Sequence, residues 1–494
     1  MADFCFSDAA FTYLLSGKRD DRFSCAEEVC LGRSLLQHTD STRCEIVRKG
    51  DRELCVVGLC VDSLGEVERA DIPHYLLDRC CDSIGSLLEE EPRFAGRYVM
   101  LLTIGEQSWM LNDASSCLPV VYSTGGERCA ASLDMLLGTH LSLSRNADAA
   151  DIRSGGAPSQ PLPYDLTRFD GARFLLPNHV LCLTTGEVTR FSSVPPKFPS
   201  TDALLTDSAD HIDRILRAYA KEYRLICPLT GGWDSRTNLS FLLRNGMNID
   251  TYTFYHPNFS DTTSDIAVPK QICDDFQLPH RYIRDITPDE KTLSDARVVL
   301  GEDADKRTLS LAYTYRSQYG PETALLAGDI IGQMGKHLFG NRLPAWLATS
   351  GFLSCKLHNA SPKVRRYVRA QLSEYRSTGC SEQAFDLFAL ESRLGRWASQ
   401  IQGIYAVCSV NSLNIFNCRS VIAAWMTLPG KFRVAYGVHL FFLRRNAPGL
   451  LKYPFNASSR LNFLKKSPIL YYLATIGKHT VFLFRAKRKP RNSF

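Results

Sequence analysis

Up to about residue 195 the apolar positions of this chain fall in short runs cut by Gly, Asp, Asn and Ser. "CEIVRKG" (44–50), "ELCVVGLCVDS" (53–63), "RYVMLLTI" (97–104), "SWMLNDAS" (108–115), "LPVVYST" (118–124) and "HVLCLTTGEVTRF" (179–191) predict strands. One stretch between them, "IPHYLLDRCCDSIGSLLEEE" (72–91), has helical spacing instead. Strands with a helical interruption predict sheets packed with a few helices, an α+β layered domain. Residues 192–203, "SSVPPKFPSTDA", are rich in Pro and Ser and mark a linker.

Beyond the linker the period changes. "LLTDSADHIDRILRAYAKEYR" predicts a helix, and "LICPLT" a strand. Two glycines and a helical run, "SRTNLSFLLRNG", follow, then strand "IDTYTFY", helix "SDIAVPKQICDDFQ", "LPHRYI", and strand "TALLAGDI". Strands alternating with helices predict a parallel sheet with crossover helices. From Leu343 the pattern is mostly helical, with a break around "LKYPFNASSR". The expected organisation is two domains, residues 1–195 and 204–494.

Composition changes this picture little. The chain has 494 residues, 45% hydrophobic and 22% charged, with a net charge of +6, so a large core forms without disulfides and a nucleic-acid partner is not expected. It has 17 cysteines. Cys25–Cys30 and Cys55–Cys60 lack zinc-like spacing and there is no C-x-x-C, so most are expected to be buried thiols in a reducing cytoplasm. The start "MADFCFSDAAFTYLL" lacks the basic region of a signal peptide, and no apolar run is long enough to predict a transmembrane helix. The basic C-terminal tail, "RAKRKPRNSF", is expected to be solvated; a weak contact with an anionic membrane surface stays open, as does a homodimer.

The densest chemistry lies in "CPLTGGWDSRTNLSFLLRNG" (227–246). A strand meets a helix there through Thr230, Gly231, Gly232, Trp233, Asp234, Ser235 and Arg236. In a parallel sheet, ligands gather beyond the carboxyl ends of the strands. A helix beginning there presents free N–H groups and the positive end of its dipole. Gly231 and Gly232 let the backbone approach an anion, and Thr230 and Ser235 add hydroxyl donors. A phosphate suits such a turn. Asp234 would repel a bare phosphate, which predicts a bridging Mg²⁺. Arg236 is expected on a phosphate or on an acid elsewhere. A purely structural glycine turn capped by Asp234 is the alternative. The Walker pattern G-x-x-x-x-G-K-[ST] is absent at this turn.

Thr-Gly-Gly-x-Asp-Ser resembles the pyrophosphate loop of the ATP pyrophosphatase (PP-loop) superfamily. The following segments are similar to the asparagine synthetase family: Thr253–Tyr255, Ser264–Asp265 and Leu278–His280, then "LLAGDIIGQMGKHLFGN", "NIFNCRSVIAAWMTLPGKFR" with Asn417 and Arg419, and "HLFFLRRNAPGLL". The first domain resembles that family's glutaminase in "RFAGRYVMLL", in Asp113, Pro119 and Tyr122, and in Leu176-Pro177. The resemblance implies an α+β glutaminase-like sandwich of the N-terminal-nucleophile type followed by an α/β PP-loop (adenine nucleotide alpha hydrolase-like) domain with a helical C-terminal part. It implies ATP and Mg²⁺ as cofactors. Thr230, Gly231, Gly232, Asp234, Ser235, Arg236, Tyr255 and Gly328 would bind the nucleotide, and Asp234 and Asp329 the metal. The second loop departs from the family's Gly-Glu-Gly-x-Asp-Glu.

A glutaminase of this kind uses a cysteine directly after the initiator methionine, with the free α-amino group as its base. Here Ala2 stands in that place and Cys5 lies further on, so glutamine hydrolysis is not expected. The implied activity is an ATP-dependent, AMP-forming amide ligase acting on a small-molecule, glycan or peptide carboxylate. Ammonia or an amine would be the acceptor, with surface-polysaccharide or secondary-product pathways as the setting. An intramolecular lactam or peptide cyclase, and a non-catalytic nucleotide-binding relative, remain as alternatives. Lys336, Lys465 and Lys466 are candidate second-step groups, and the helical stretch with Glu391, Arg393, Arg396 and Trp397 is a candidate acceptor wall. By helical spacing Arg393, Arg396 and Trp397 share one face.

Overall fold

The computed structural model describes residues 11–23, 27–79, 82–138, 141–154, 161–192, 195, 197–301, 305–456 and 467–477. Cys5, Cys25, Cys80, Cys81, Lys465, Lys466 and the basic tail lie outside the described residues.

Among the described residues the first half holds twelve strands: β1 (Tyr13–Ser16), β2 (Glu27–Leu31), β3 (Ser34–His38), β4 (Cys44–Lys49), β5 (Arg52–Asp62), β6 (Phe94–Ile104), β7 (Gln107–Asn112), β8 (Val121–Ser123), β9 (Arg128–Ala130), β10 (Ala172–Phe174), β11 (His179–Cys182) and β12 (Val188–Arg190). They form two six-stranded sheets, β10-β8-β9-β1-β3-β2 and β12-β11-β7-β6-β5-β4, antiparallel at every pairing. In β5, Cys55, Val57 and Leu59 face the core shared with the first sheet. Leu54, Val56 and Cys60 face an outer cluster made with Ile72, Leu76, Leu77 and Leu87. Both faces of β5 are therefore covered, and its sequence is apolar throughout rather than alternating.

The structure refines the expected elements. The run 179–191 turns back on itself as the hairpin β11–β12. The helical stretch 72–91 divides into Ile72–Arg79 and Ile84–Glu90, because Ser83 caps a new helix through Ser86 N. Similarly, Ser200 caps the helix Thr201–Glu222 through Ala203 N, so the linker ends a little earlier than the composition suggested.

The second half carries β13 (Arg224–Pro228), β14 (Asp250–Phe254), β15 (His280–Ile283), β16 (Thr323–Leu326) and β17 (Asn411–Leu413). They make one parallel sheet in the order β15-β14-β13-β16-β17. The chain winds from β13 through β14 to β15 on one side, then places β16 on the other side of β13. A crevice therefore opens between the carboxyl ends of β13 and β16. The remainder is mostly helical, including a π-wound segment, Ala389–Ala398.

Asn417 and Arg419, from the segment that resembles the asparagine synthetase family, join the two halves. Arg419 is buried. Its guanidinium grips Glu91 with two bonds (2.7 and 2.9 Å) and also donates to Asn178 Oδ1 and to the Asn112 carbonyl. Asn417 donates to the Gly96 carbonyl and to Asp113 Oδ1. Asp113 in turn accepts from Ser115, Cys117 and Leu118 amides, which folds the turn after β7. Further along the seam, Glu374 accepts from His179 and Arg190, and Arg190 also pairs with the buried Glu391. Although burial opposes it, the contacts with His179 and Arg190 hold the Glu374 carboxyl down at about 2.

Removing one partner of a buried pair leaves an uncompensated charge, at a cost of about 3–5 kcal/mol. Arg419→Met is expected to destabilise the protein by that order in urea unfolding. The double variant Glu91→Met/Arg419→Met is expected to recover much of the loss.

Candidate functional site

Two turns line the crevice. The first follows β13 and is held by its own side chains: Thr230 N donates to Ser235 Oγ, Gly232 N donates to Thr230 Oγ1, and the two hydroxyls meet at 3.1 Å. The Gly231 amide donates to Asp265 Oδ1, and Asn456 Nδ2 shares that oxygen. The hydroxyls expected to donate to a ligand thus shape the turn in this structure. The helix Trp233–Arg244 has no side-chain cap at Gly232. Its first-turn N–H groups are the anion donors that remain.

The second turn follows β16. Ala327 N donates to the Leu413 carbonyl, and Asn238 Nδ2 donates to the carbonyls of Leu326 and Ala327, tying the first helix to the second turn. Gly328 begins the short helix Asp329–Gln333. A Cβ at Gly332 would lie 2.7 Å from Asp234 Oδ2, so only glycine lets this helix pass so close to the carboxylate.

Asp234 is the centre of the site. Its Oδ1 accepts from Lys336 Nζ at 2.7 Å and from His439 Nε2 at 2.9 Å. Burial pushes its carboxyl up, but His439 and Lys336 outweigh this and hold it below the usual carboxylate range. Burial pulls the His439 imidazole down, against the pull of Asp234. Asp234 is thus ionised against Lys336, with a neutral His439 donating through Nε2–H. The unpartnered Nδ1 of His439 is then a lone pair rather than a stranded N–H, which fits its place beside the Trp233 and Tyr436 rings. Lys336 is fixed by its neighbours: Arg433 donates to the Met334 carbonyl and pairs with Asp386, and His337 Nδ1 meets the same carboxylate at 2.9 Å.

Asp329 lies within electrostatic reach of Asp234. Burial pushes its carboxyl up, the Asn414 hydrogen bond (2.7 Å) pulls it down, and the Asp234 charge pushes it up again. Arg393 senses this carboxyl too: burial pulls its guanidinium down and Asp329 opposes that. The two acids expected to hold Mg²⁺ therefore lie near each other, but Asp234 Oδ1 is already occupied by two donors. Among the described residues no three His, Cys, Asp or Glu side chains gather to hold a metal ion. A Mg²⁺ held chiefly by nucleotide phosphates needs only one or two carboxylates, which Asp234 and Asp329 would supply. Lys336 places a positive charge at the same Asp234 carboxylate.

Arg236 departs from expectation. It is fully buried and donates to the carbonyls of Gly231, Tyr453 and Pro454. Burial pulls its guanidinium down to about 10, and it strengthens the turn rather than facing a ligand. Its guanidinium carbon lies 3.9 Å from the Phe455 ring centroid. Phe455 stacks on Trp233 (3.5 Å, 3°), Trp233 stacks on Tyr436 (4.5 Å, 18°), and Lys336 Nζ sits 5.3 Å from the Tyr436 centroid. Three rings are thus clamped between two cations, and the segment Tyr453–Asn456 is strapped over the first turn. The sequence held the signal, an aromatic in each of three separate segments, but not their meeting.

Tyr255 stands at the end of β14, its hydroxyl donating to Asp261 and its ring under Arg284 (4.1 Å). The expected shared face of Arg393, Arg396 and Trp397 divides. Arg393 covers Trp397 at 3.6 Å, while Arg396 turns away to the carbonyls of Tyr164 and Leu166 and to the Phe174 ring. The π winding separates them. Glu391 is buried on Arg190, Gln371 and Tyr375, a structural position rather than a pocket wall.

Face-to-face rings of this kind add about 0.5–1.5 kcal/mol beyond their buried area. A double-mutant cycle on Trp233→Ala and Phe455→Ala, followed by urea unfolding, is expected to show coupling of that order.

No protein-family model matches the sequence, and no curated protein matches it. Among solved structures, a glutamine-dependent NAD+ synthetase from Acinetobacter baumannii in complex with ADP is similar over 38% of this chain and 42% of that chain, at 12% identity and a TM-score of 0.19. This chain therefore spans less than half of that neighbour, and a likeness so slight carries no argument about fold or chemistry.

Proposed function

We propose that this protein is an ATP-dependent ligase that joins a carboxylate to ammonia or an amine through an acyl-adenylate, releasing pyrophosphate and then AMP. The observation that carries the reading is the crevice between β13 and β16. There an uncapped helix N-terminus, a Thr-Gly-Gly-x-Asp-Ser-Arg turn and a lysine meet at one carboxylate. In this reading the first-turn amides of Trp233–Arg244 and the ammonium of Lys336 face the phosphate end of the nucleotide. Mg²⁺ enters as part of the nucleotide substrate. A carboxylate oxygen of the acid attacks the α-phosphorus and pyrophosphate leaves with its charge on those donors. The amine then attacks the acyl carbon and AMP departs. Asp234 keeps Lys336 in position, and Trp233 and Phe455 keep the turn closed. The acid and the amine are a substrate class here, a small-molecule, glycan or peptide carboxylate with ammonia or an amine, and the cytoplasm is the setting this chemistry suits. Among the described residues no helix is long and apolar enough to cross a membrane.

A second reading, a nucleotide-binding protein without turnover, is favoured by one observation: Asp234 Oδ1 already accepts from both Lys336 and His439.

The test is pyrophosphate release from Mg·ATP, with ammonium and a panel of carboxylic acids, alongside ATP binding by calorimetry. Acid-dependent release is expected. Lys336→Met is expected to lower it at least about a hundredfold, as for loss of a single charge-stabilising donor, and to weaken ATP binding. Binding of ATP without release on any acid supports the second reading. No ATP binding at all overturns both.

A further inference from the structure

A second reactive cluster lies far along the sequence from the crevice, where β4 and β5 meet the end of β3. Cys44 and Cys55 sit diagonally on one face of the antiparallel pair, since Cys44 faces Val57 and Ile46 faces Cys55. Their sulfurs are 3.5 Å apart. The imidazole of His38, from the other sheet, lies close enough to the Cys44 thiol for the two to shift each other's titration. His38 Nδ1 lies 3.1 Å from the Thr39 carbonyl, an acceptor only, so Nδ1 carries hydrogen and Nε2 offers the lone pair. Glu27 Oε2 stands 3.8 Å from Nε2 and steadies the imidazolium once it forms. Cys44 is half-buried and Cys55 fully buried, so one thiol is within reach of solvent and its neighbour is protected.

This is the order found in a thiol that reacts and a thiol that resolves. We propose that Cys44 and Cys55 form a peroxide-sensitive dithiol that closes to a disulfide across β4 and β5, with His38 as its base.

His38 takes the proton of Cys44. The thiolate attacks one peroxide oxygen and the O–O bond breaks. Cys44 becomes a sulfenic acid, and the departing hydroxide leaves as water with the proton from His38. The Cys55 sulfur then attacks the Cys44 sulfur, the S–O bond breaks, and a second water leaves with the Cys55 proton. Both sulfurs are oxidised, and one peroxide is reduced to two waters.

The charges around the pair agree with these roles. The hydrogen bond from Cys55 lowers the Cys44 thiol to about 6; burial opposes this, His38 adds to it, and Glu45 works against it. Burial pushes Cys55 up, Cys44 and Glu53 add to that, and Arg48 opposes it. Cys44 is thus the nucleophile and Cys55 stays protonated until it resolves. Diagonal partners on neighbouring strands are further apart than directly opposed ones, so the bridge must draw the strands together. Such a bond is readily reduced, as suits a reversible one.

The test treats the reduced full-length protein with hydrogen peroxide, blocks remaining thiols by alkylation and maps peptides without reduction. The expected first product is a Cys44–Cys55 linked peptide, formed about tenfold or more faster than oxidation of the exposed Cys30, since the Cys44 thiol is lowered and its resolving partner is 3.5 Å away. Cys55→Ser is expected to stop at a sulfenic acid on Cys44, trapped by dimedone. His38→Gln is expected to slow oxidation of Cys44 while circular dichroism stays unchanged. Oxidation of Cys44 no faster than of Cys30 in the unaltered protein overturns the proposal, as does a first disulfide joining any other pair.

Discussion

A carboxylate placed at the start of a helix and shut behind aromatic rings must be matched by positive charge. Much of the second half of the molecule is arranged to do so for Asp234. Lys336 can reach it only because Arg433 and Asp386 anchor the residues on either side of the lysine. His439 can remain neutral because it needs only one hydrogen bond and rests against rings. The helix after β16 can approach only because Gly332 has no side chain. Removing the charge of Asp234 would leave each of these features without a purpose, although each lies in a different stretch of sequence.

A second set of buried charges joins the two halves. Glu91, Arg419, Asn417 and Asp113 form one polar group beneath the turn after β7; His179, Arg190, Glu374 and Glu391 form another. Such groups contribute little net stability compared with an apolar seam, but they permit only one alignment of the halves. The apolar core runs on from the antiparallel sheets into the parallel sheet. Core contacts alone could slide, and the ion pairs fix their register.

Local signals were legible in the sequence. The strands of β5, β6 and β13, the long helix after the linker and the glycine turn itself all follow from periodicity and turn chemistry, which depend on neighbours in the chain. β17 was not legible, for it has three residues, Asn411–Leu413, and is a strand only because β16 offers it an edge. Nor were the partners of Arg236 and Asp234. A guanidinium beside a glycine turn suits a phosphate equally well as three carbonyls, and the choice is made by Tyr453–Asn456, over two hundred residues later. Nor were the partners of Asn417 and Arg419 legible; they belong to the first half of the chain.

The π-wound segment Ala389–Ala398 has its own consequence. In an α-helix, residues three apart point the same way, and Arg393 and Arg396 would serve one neighbour. Wider winding sends Arg393 toward the crevice and Arg396 into the first half of the molecule, while Gly395 between them lets Pro177 come within contact. The segment therefore meets both halves within one turn of backbone: Arg396 and Gly395 touch the first half, while the Arg393 guanidinium lies within electrostatic reach of Asp329.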